Sequence, residues 1–184
     1  MIRLSECGRK KAQDQAFRHL GENSRVQGLR IRNRIEGDGN CMFSAIVDQL
    51  EMHNNENEFT AITLRAAVVE FMRRNPTLDD GTPLVSFVDD RSWERYLTRM
   101  ARIGTWGDHL ALQAVAEILH SNIFIISGSA DDSDPISIST SNPGDTGPLY
   151  LGHVPELHYV IGEKQKVSMD CLPQMSIQLV FQPI

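Results

Sequence analysis

Hydrophobic positions along this chain repeat with two different periods. Leu29, Ile31 and Ile35 alternate with Arg30, Arg32 and Arg34, and a period of two predicts a half-buried strand whose arginines face solvent. Asn33 is the polar exception on the apolar side, and an amide there needs a hydrogen-bonding partner. From Cys41 to about Met52 the period becomes helical, with Phe43, Ile46, Val47 and Leu50 turned inward. Residues 53–58 are polar and read as a loop. Leu64, Ala67, Val68, Phe71 and Met72 resume the helical spacing; Thr60 or Thr63 can cap the start, and Asn75-Pro76 stops the run. Trp93, Tyr96, Leu97 and Met100 give a further helix one apolar face, with Asp90 or Ser92 as its cap and Gly104 as its end. Asp108 can cap a helix carrying Leu110, Ala111, Ala114, Val115, Ile118 and Leu119. Residues 123–126 are uninterrupted apolar residues, the mark of a buried central strand.

The ends are less regular. Residues 9–20 have helical composition and a narrow stripe of Ala12, Ala16, Phe17 and Leu20, which reads as a short docked helix or a linker; residues 1–28 are therefore set apart as an extension. Residues 127–147 are rich in Ser, Asp, Gly and Pro and predict a long exposed loop, with a short strand around Ile136 and Ile138. Residues 149–151 and 157–161 read as strands with a turn near Pro155, and Ile177, Leu179 and Phe181 suggest a last strand over 176–182. Helices mixed with a small sheet make the fold class α+β, or mixed α/β, for a domain over 29–184.

A chain of 184 residues is long enough for one domain with a sizeable core. The net charge of −6 speaks against nucleic acid and for a basic partner. No apolar run approaches the length of a membrane span, and the first residues lack a signal peptide's apolar core. Cys7, Cys41 and Cys171 are too few and too irregularly spaced for a disulfide framework or a zinc site. The expectation is an intracellular protein, cytoplasmic or nuclear, with reduced thiols.

Chemistry concentrates in Gly37-Asp38-Gly39-Asn40-Cys41. Two glycines permit a tight turn, and the turn feeds a helix start, where unpaired N–H groups and the positive end of the helix dipole meet. A thiol there is biased toward thiolate, and the same N–H groups can receive an oxyanion. For an isolated cysteine a buried structural role is the commoner one; the glycines favour the nucleophile. A free thiol, with a pKa of roughly 8.5, needs a base. His158, on a predicted strand, is the candidate. The competitors are His19, His53, His109, His120 and His153; His53 lies in a polar loop, His120 ends a helix, and His153 is the serious rival.

Asp38-Gly39-Asn40-Cys41 with Phe43 and Ala45, then Gly104-Thr105-Trp106-Gly107-Asp108 with Leu112, Ala114 and Ala116, then His158-Tyr159 resemble, in that order, the ovarian tumour (OTU) family of cysteine proteases. The resemblance spans residues 29–162. It implies a papain-type fold, a small central sheet flanked by helices, and removal of ubiquitin from chains or other proteins, with no metal or cofactor. Ubiquitin's basic tail would suit the acidic chain. The family pattern decides for His158 over His153 because Tyr159 follows it. It implies that backbone N–H groups of Asp38, Gly39 and Cys41 form the oxyanion hole, that the Asp38 carboxylate braces the loop, and that Trp106 lines the substrate groove rather than the core. One position departs: many members carry Asn or Asp two residues after the histidine, and here Val160 stands there, unable to accept a hydrogen bond. Some members orient the imidazole from upstream of the cysteine, which makes Asn33 the candidate. Val160 also leaves open a module that binds ubiquitin without cleaving it, and the sequence does not separate ubiquitin from a ubiquitin-like modifier.

Overall fold

Strict alternation along the central strands sorts the fold into two layers about one sheet. The computed structural model describes residues 6–32, 38–53, 57–78, 80–130, 134–145, 147–154 and 158–164. The strands are β1 (Leu29–Ile31), β2 (Ile123–Ser127), β3 (Ile136–Ile138), β4 (Leu149–Val154) and β5 (His158–Lys164). Their order is β1-β5-β4-β2-β3. β2 and β4 run parallel; the other neighbours are antiparallel. Ile123, Ile125, Leu149 and Leu151 turn to one side, into the main core. There they meet α2 (Cys41–His53), α3 (Ala61–Arg74), α4 (Trp93–Met100) and α5 (His109–Leu119). Ile126, Tyr150 and Val154 turn to the other side, where α1 (Glu6–Val26) covers them with Ala16, Phe17 and Leu20. The helix is longer than the narrow stripe implied, since the docked residues need only a few turns to reach the sheet.

Local chemistry fixes the helix ends. Thr60 and Thr63 cap α3 jointly: Thr63 N–H donates to Thr60 Oγ1 at 3.2 Å and Thr60 N–H to Thr63 Oγ1 at 2.8 Å. Ser92 caps α4, while Asp90 instead takes the Arg99 guanidinium at 2.8 and 3.0 Å. α4 stops at Met100, ahead of Gly104, whose φ of +85° serves a loop against the residue 38 turn. The stretch after β2 is not simply exposed. The Glu117 carboxylate accepts the Thr140 hydroxyl at 3.1 Å and the Ser141 hydroxyl at 2.7 Å, and Thr140 is buried. The expected strand over 176–182, the turn at Pro155, and Asn33 and Ile35 lie outside the described residues. Among the described residues no helix is long and apolar enough to cross a membrane.

One buried amide sets α2 against the sheet. β4 pairs with β5 as far as Leu151 and Ile161; from Gly162 onward β5 pairs with β1 instead. Tyr150 lies just beyond that parting. Gln49, 1% exposed on α2, serves both its backbone groups: Oε1 accepts the Tyr150 N–H at 2.8 Å, and Nε2 donates to the Tyr150 carbonyl. Backbone groups turned away from water need partners, so α2 is held in register with β4 and β5. That register decides where the first residue of α2, Cys41, meets the sheet.

Candidate active site

The turn before α2 has room for one sequence only at its centre. Gly39 has φ of +81°, and a Cβ there would lie 1.9 Å from the Gly104 carbonyl oxygen. Asp38 folds over the turn: Oδ1 accepts the Asn40 N–H at 2.8 Å and Oδ2 accepts Asn40 Nδ2 at 3.2 Å. The Asn40 carbonyl takes the first helical bond, from Ser44 N–H at 2.9 Å, so Cys41 is the first residue inside the helix. Across the turn, Gly104 N–H donates to Asn40 Oδ1 at 3.1 Å.

The Cys41 side chain is closed off, 1% exposed. The backbone N–H groups of Tyr159, Met42 and Cys41 itself act on the sulfur to lower its pKa. Burial acts the other way and is the largest influence, and the Asp38 charge adds to it; the net effect raises the thiol above its ordinary value. The expected bias toward thiolate is therefore corrected. A helix start and its N–H groups do help the anion, but the loss of water around the sulfur outweighs them.

The Tyr159 N–H brings β5 to the nucleophile. His158, the first residue of β5, pairs with Val154, and Tyr159 pairs with His153. The chain at 158–159 thus runs past the sulfur at position 41. The Tyr159 phenol packs against the main core, and its pKa is pushed up to about 12 by burial, with the Cys41 and Asp108 charges adding. The ring of the rival His153 lies against the Tyr159 ring, centroids 4.8 Å apart. Asp108 caps α5, accepting Ala111 N–H at 3.1 Å, and also takes the Tyr96 hydroxyl at 2.9 Å. Asn33 cannot be located, lying outside the described residues.

Trp106 is 48% exposed, so it is not a core residue. Its neighbour Gly107 touches Met42 so closely that a Cβ would come within 2.3 Å of the Met42 Cε. The loop carrying Trp106 therefore abuts the residue after Cys41. Among the described residues there is no group of three or more His, Cys, Asp or Glu side chains placed to hold a metal.

Arg65 was not singled out by the sequence. It is 2% exposed and touches the turn before Cys41. The signal existed: Arg65, Val69 and Met72 fall at i, i+4 and i+7 on the buried face of α3. An arginine in an apolar stripe is easily read as a neighbouring solvent position.

Comparison with known proteins fits this geometry. A family model described as OTU-like cysteine protease matches residues 36–151, which takes in Asp38, Cys41 and the 104–108 loop and ends before His158. The chain is 31% identical over 140 residues to the OVARIAN TUMOR DOMAIN-containing deubiquitinating enzyme 10 of Arabidopsis thaliana, covering 71% of this chain and 36% of that protein. It is 32% identical over 147 residues to the putative ubiquitin thioesterase 232R of Invertebrate iridescent virus 3, covering 78% of this chain and 17% of that one. It thus spans about a third or less of these relatives. The solved OTU domain of OTUD1 superposes with a TM-score of 0.63 at 17% identity, over 84% of this chain and 99% of that domain. An OTU deubiquitinase from Wolbachia pipientis wMel, solved bound to ubiquitin, superposes with a TM-score of 0.53 at 18% identity, over 75% and 97%. At such identities the structural likeness concerns the fold.

Proposed function

The chain belongs to the OTU-like cysteine protease family, and from that premise we propose that it is a deubiquitinase with Cys41 as nucleophile and His158 as base. Its substrate is the isopeptide or peptide bond after ubiquitin's C-terminal glycine. Such conjugates lie inside the cell, so its work is cytoplasmic or nuclear.

The reaction runs on this chain's own groups. His158 takes the proton of the Cys41 thiol as the sulfur attacks the glycine carbonyl carbon. A carbon–sulfur bond forms, and the carbonyl π pair moves onto oxygen. Backbone N–H groups of the residue 38–41 turn receive that oxyanion, the arrangement in which fixed donors act most strongly. The intermediate collapses, the carbon–nitrogen bond breaks, and His158 hands its proton to the departing amine. Water, deprotonated by His158, then attacks the thioester and frees the ubiquitin carboxylate and the thiol. Asp38 holds the turn in shape, Asn33 orients the imidazole in place of the missing acceptor at Val160, and Trp106 lines the approach to the sulfur.

The observation that carries this reading is the approach of the Tyr159 backbone N–H to the Cys41 sulfur, close enough to favour the thiolate, one residue from the base. A raised thiol pKa suits a base that removes the proton as attack begins, rather than a standing thiolate. Val160, with the closed sulfur, favours a second reading, a module that binds ubiquitin without turnover. Hydrolysis of a fluorogenic ubiquitin C-terminal amide separates them. Turnover that vanishes in Cys41→Ala supports the protease; ubiquitin binding with no turnover on this substrate or on any diubiquitin linkage supports the module.

A further inference from the structure

We propose that Arg65 is a positioning residue, which holds the turn before Cys41 in the shape that receives the oxyanion; this rests on the reaction proposed above. The side chain rises from the buried face of α3 and is 2% exposed. One nitrogen, Nη2, donates to the Gly39 carbonyl at 2.8 Å, to Asn40 Oδ1 at 2.9 Å and to the Thr105 carbonyl at 2.7 Å. The other, Nη1, donates to the Met100 carbonyl at 3.0 Å, with the Met100 sulfur at 3.8 Å. The guanidinium lies 4.3 Å over the Phe43 ring, so it also touches the first turn of α2.

The partners are what make this more than packing. A buried cation normally sits on a carboxylate, because its desolvation is costly. Among the described residues no carboxylate hydrogen-bonds to it; the oxygen acceptors there are three backbone carbonyls and one amide. Nε finds no hydrogen-bond partner among the described residues. A site that needed only filling would take Met or Leu at this position. What the charge does instead is join two loops that are distant in sequence, the 39–40 turn and the 100–105 loop.

That junction braces the backbone between the proposed donors at Gly39 and Cys41. A peptide unit is planar, so fixing the Gly39 carbonyl fixes the N–H of Asn40 on the same plane. That N–H is already tied to Asp38 Oδ1. Asn40 Oδ1, shared between Arg65 and the Gly104 N–H, fixes the residue on the other side of the plane. With Gly39 and Asn40 held from both loops, the backbone running into Cys41 has no freedom to turn its N–H groups away. The fork geometry matters: Nη2 serves the 39–40 turn and the Thr105 carbonyl while Nη1 holds the Met100 carbonyl, and a lysine ammonium has no second nitrogen with which to do both.

The test uses Arg65→Lys, which keeps the charge, and Asn40→Ala, which leaves Arg65 intact and removes the shared amide. Steady-state turnover of a ubiquitin C-terminal amide is read together with amide hydrogen exchange at residues 39–42 and 104. In both variants kcat is expected to fall about 10- to 100-fold with KM held within about threefold, since only transition-state contacts are loosened. Exchange at Gly104 and through 39–42 is expected to quicken at least about tenfold, while the amides of β2 and β4 keep their protection. Should Arg65→Lys fail to fold, Asn40→Ala decides. A change confined to KM, or kcat and amide protection both at the wild-type level, would overturn the proposal. If the wild-type chain turns over no ubiquitin substrate, the proposed reaction fails by itself, and the exchange measurement still judges the clamp.

Discussion

The backbone N–H of Tyr159 acts on the sulfur of Cys41, favouring its anion. That relationship joins the start of α2 to the start of β5, two points that the sequence holds far apart. It also sets the first expectation. Removing the imidazole one residue away, with His158→Ala, should lower kcat/KM on a ubiquitin amide by about 100- to 10,000-fold, the usual range for a lost base. His153→Ala, whose ring packs against Tyr159, should cost less than about tenfold, since the imidazole proposed to carry the proton is left in place. Parallel steady-state assays of the two variants check this, and the reverse order would reassign the base.

The charge of Asp38 is among the influences that hold the Cys41 thiol up, after burial. Asp38→Asn removes the charge yet keeps an oxygen for the Asn40 N–H. The rate of alkylation by iodoacetamide, followed against pH, should therefore show its inflection above the ordinary thiol range in the wild type and lower in Asp38→Asn. Stability carries the same sign. A thiol whose folded pKa is raised contributes stability that is present below the unfolded value of roughly 8.5 and lost as pH rises through the folded value. Cys41→Ala should flatten that alkaline loss.

Gly39 and Gly107 make opposite demands on their neighbours. A methyl at 39 meets the Gly104 backbone and stands at φ of +81°, so neither problem can relax. Gly39→Ala should destabilise by about 2 kcal/mol or more and abolish turnover. A methyl at 107 meets, at its closest, the flexible end of Met42, Cε at 2.3 Å and Sδ at 2.5 Å. Gly107→Ala should be milder, and Met42→Ala should restore part of its loss, which makes the pair non-additive in thermal unfolding.

Gln49 offers a prediction about the frame rather than the chemistry. Gln49→Leu keeps the volume but strands the N–H and carbonyl of Tyr150 inside the core. The cost should be about 2–4 kcal/mol, seen as a lower urea midpoint with an unchanged slope.

Much of the site was legible because its constraints are local. Gly39 beside Asp38 announced a turn that no side chain fits, and Thr60, Ser92 and Asp108 announced helix starts by chemistry that acts within three residues. What escaped was set at long range. The burial that lifts the Cys41 thiol comes from elements that pack over the helix start, and a helix-dipole argument does not see them. Arg65 was hidden for a similar reason, since its acceptors at 39, 40, 100 and 105 come from two other loops. The departure of β5 from β4 to β1, bridged by Gln49, has no signature in either strand.

The most direct test of the account is peptide mapping after incubation with ubiquitin bearing a C-terminal electrophile. One adduct is expected, on Cys41, formed quickly by the wild type, slowly by His158→Ala and never by Cys41→Ala. No adduct on folded protein, or modification of Cys7 or Cys171 in its place, would contradict it.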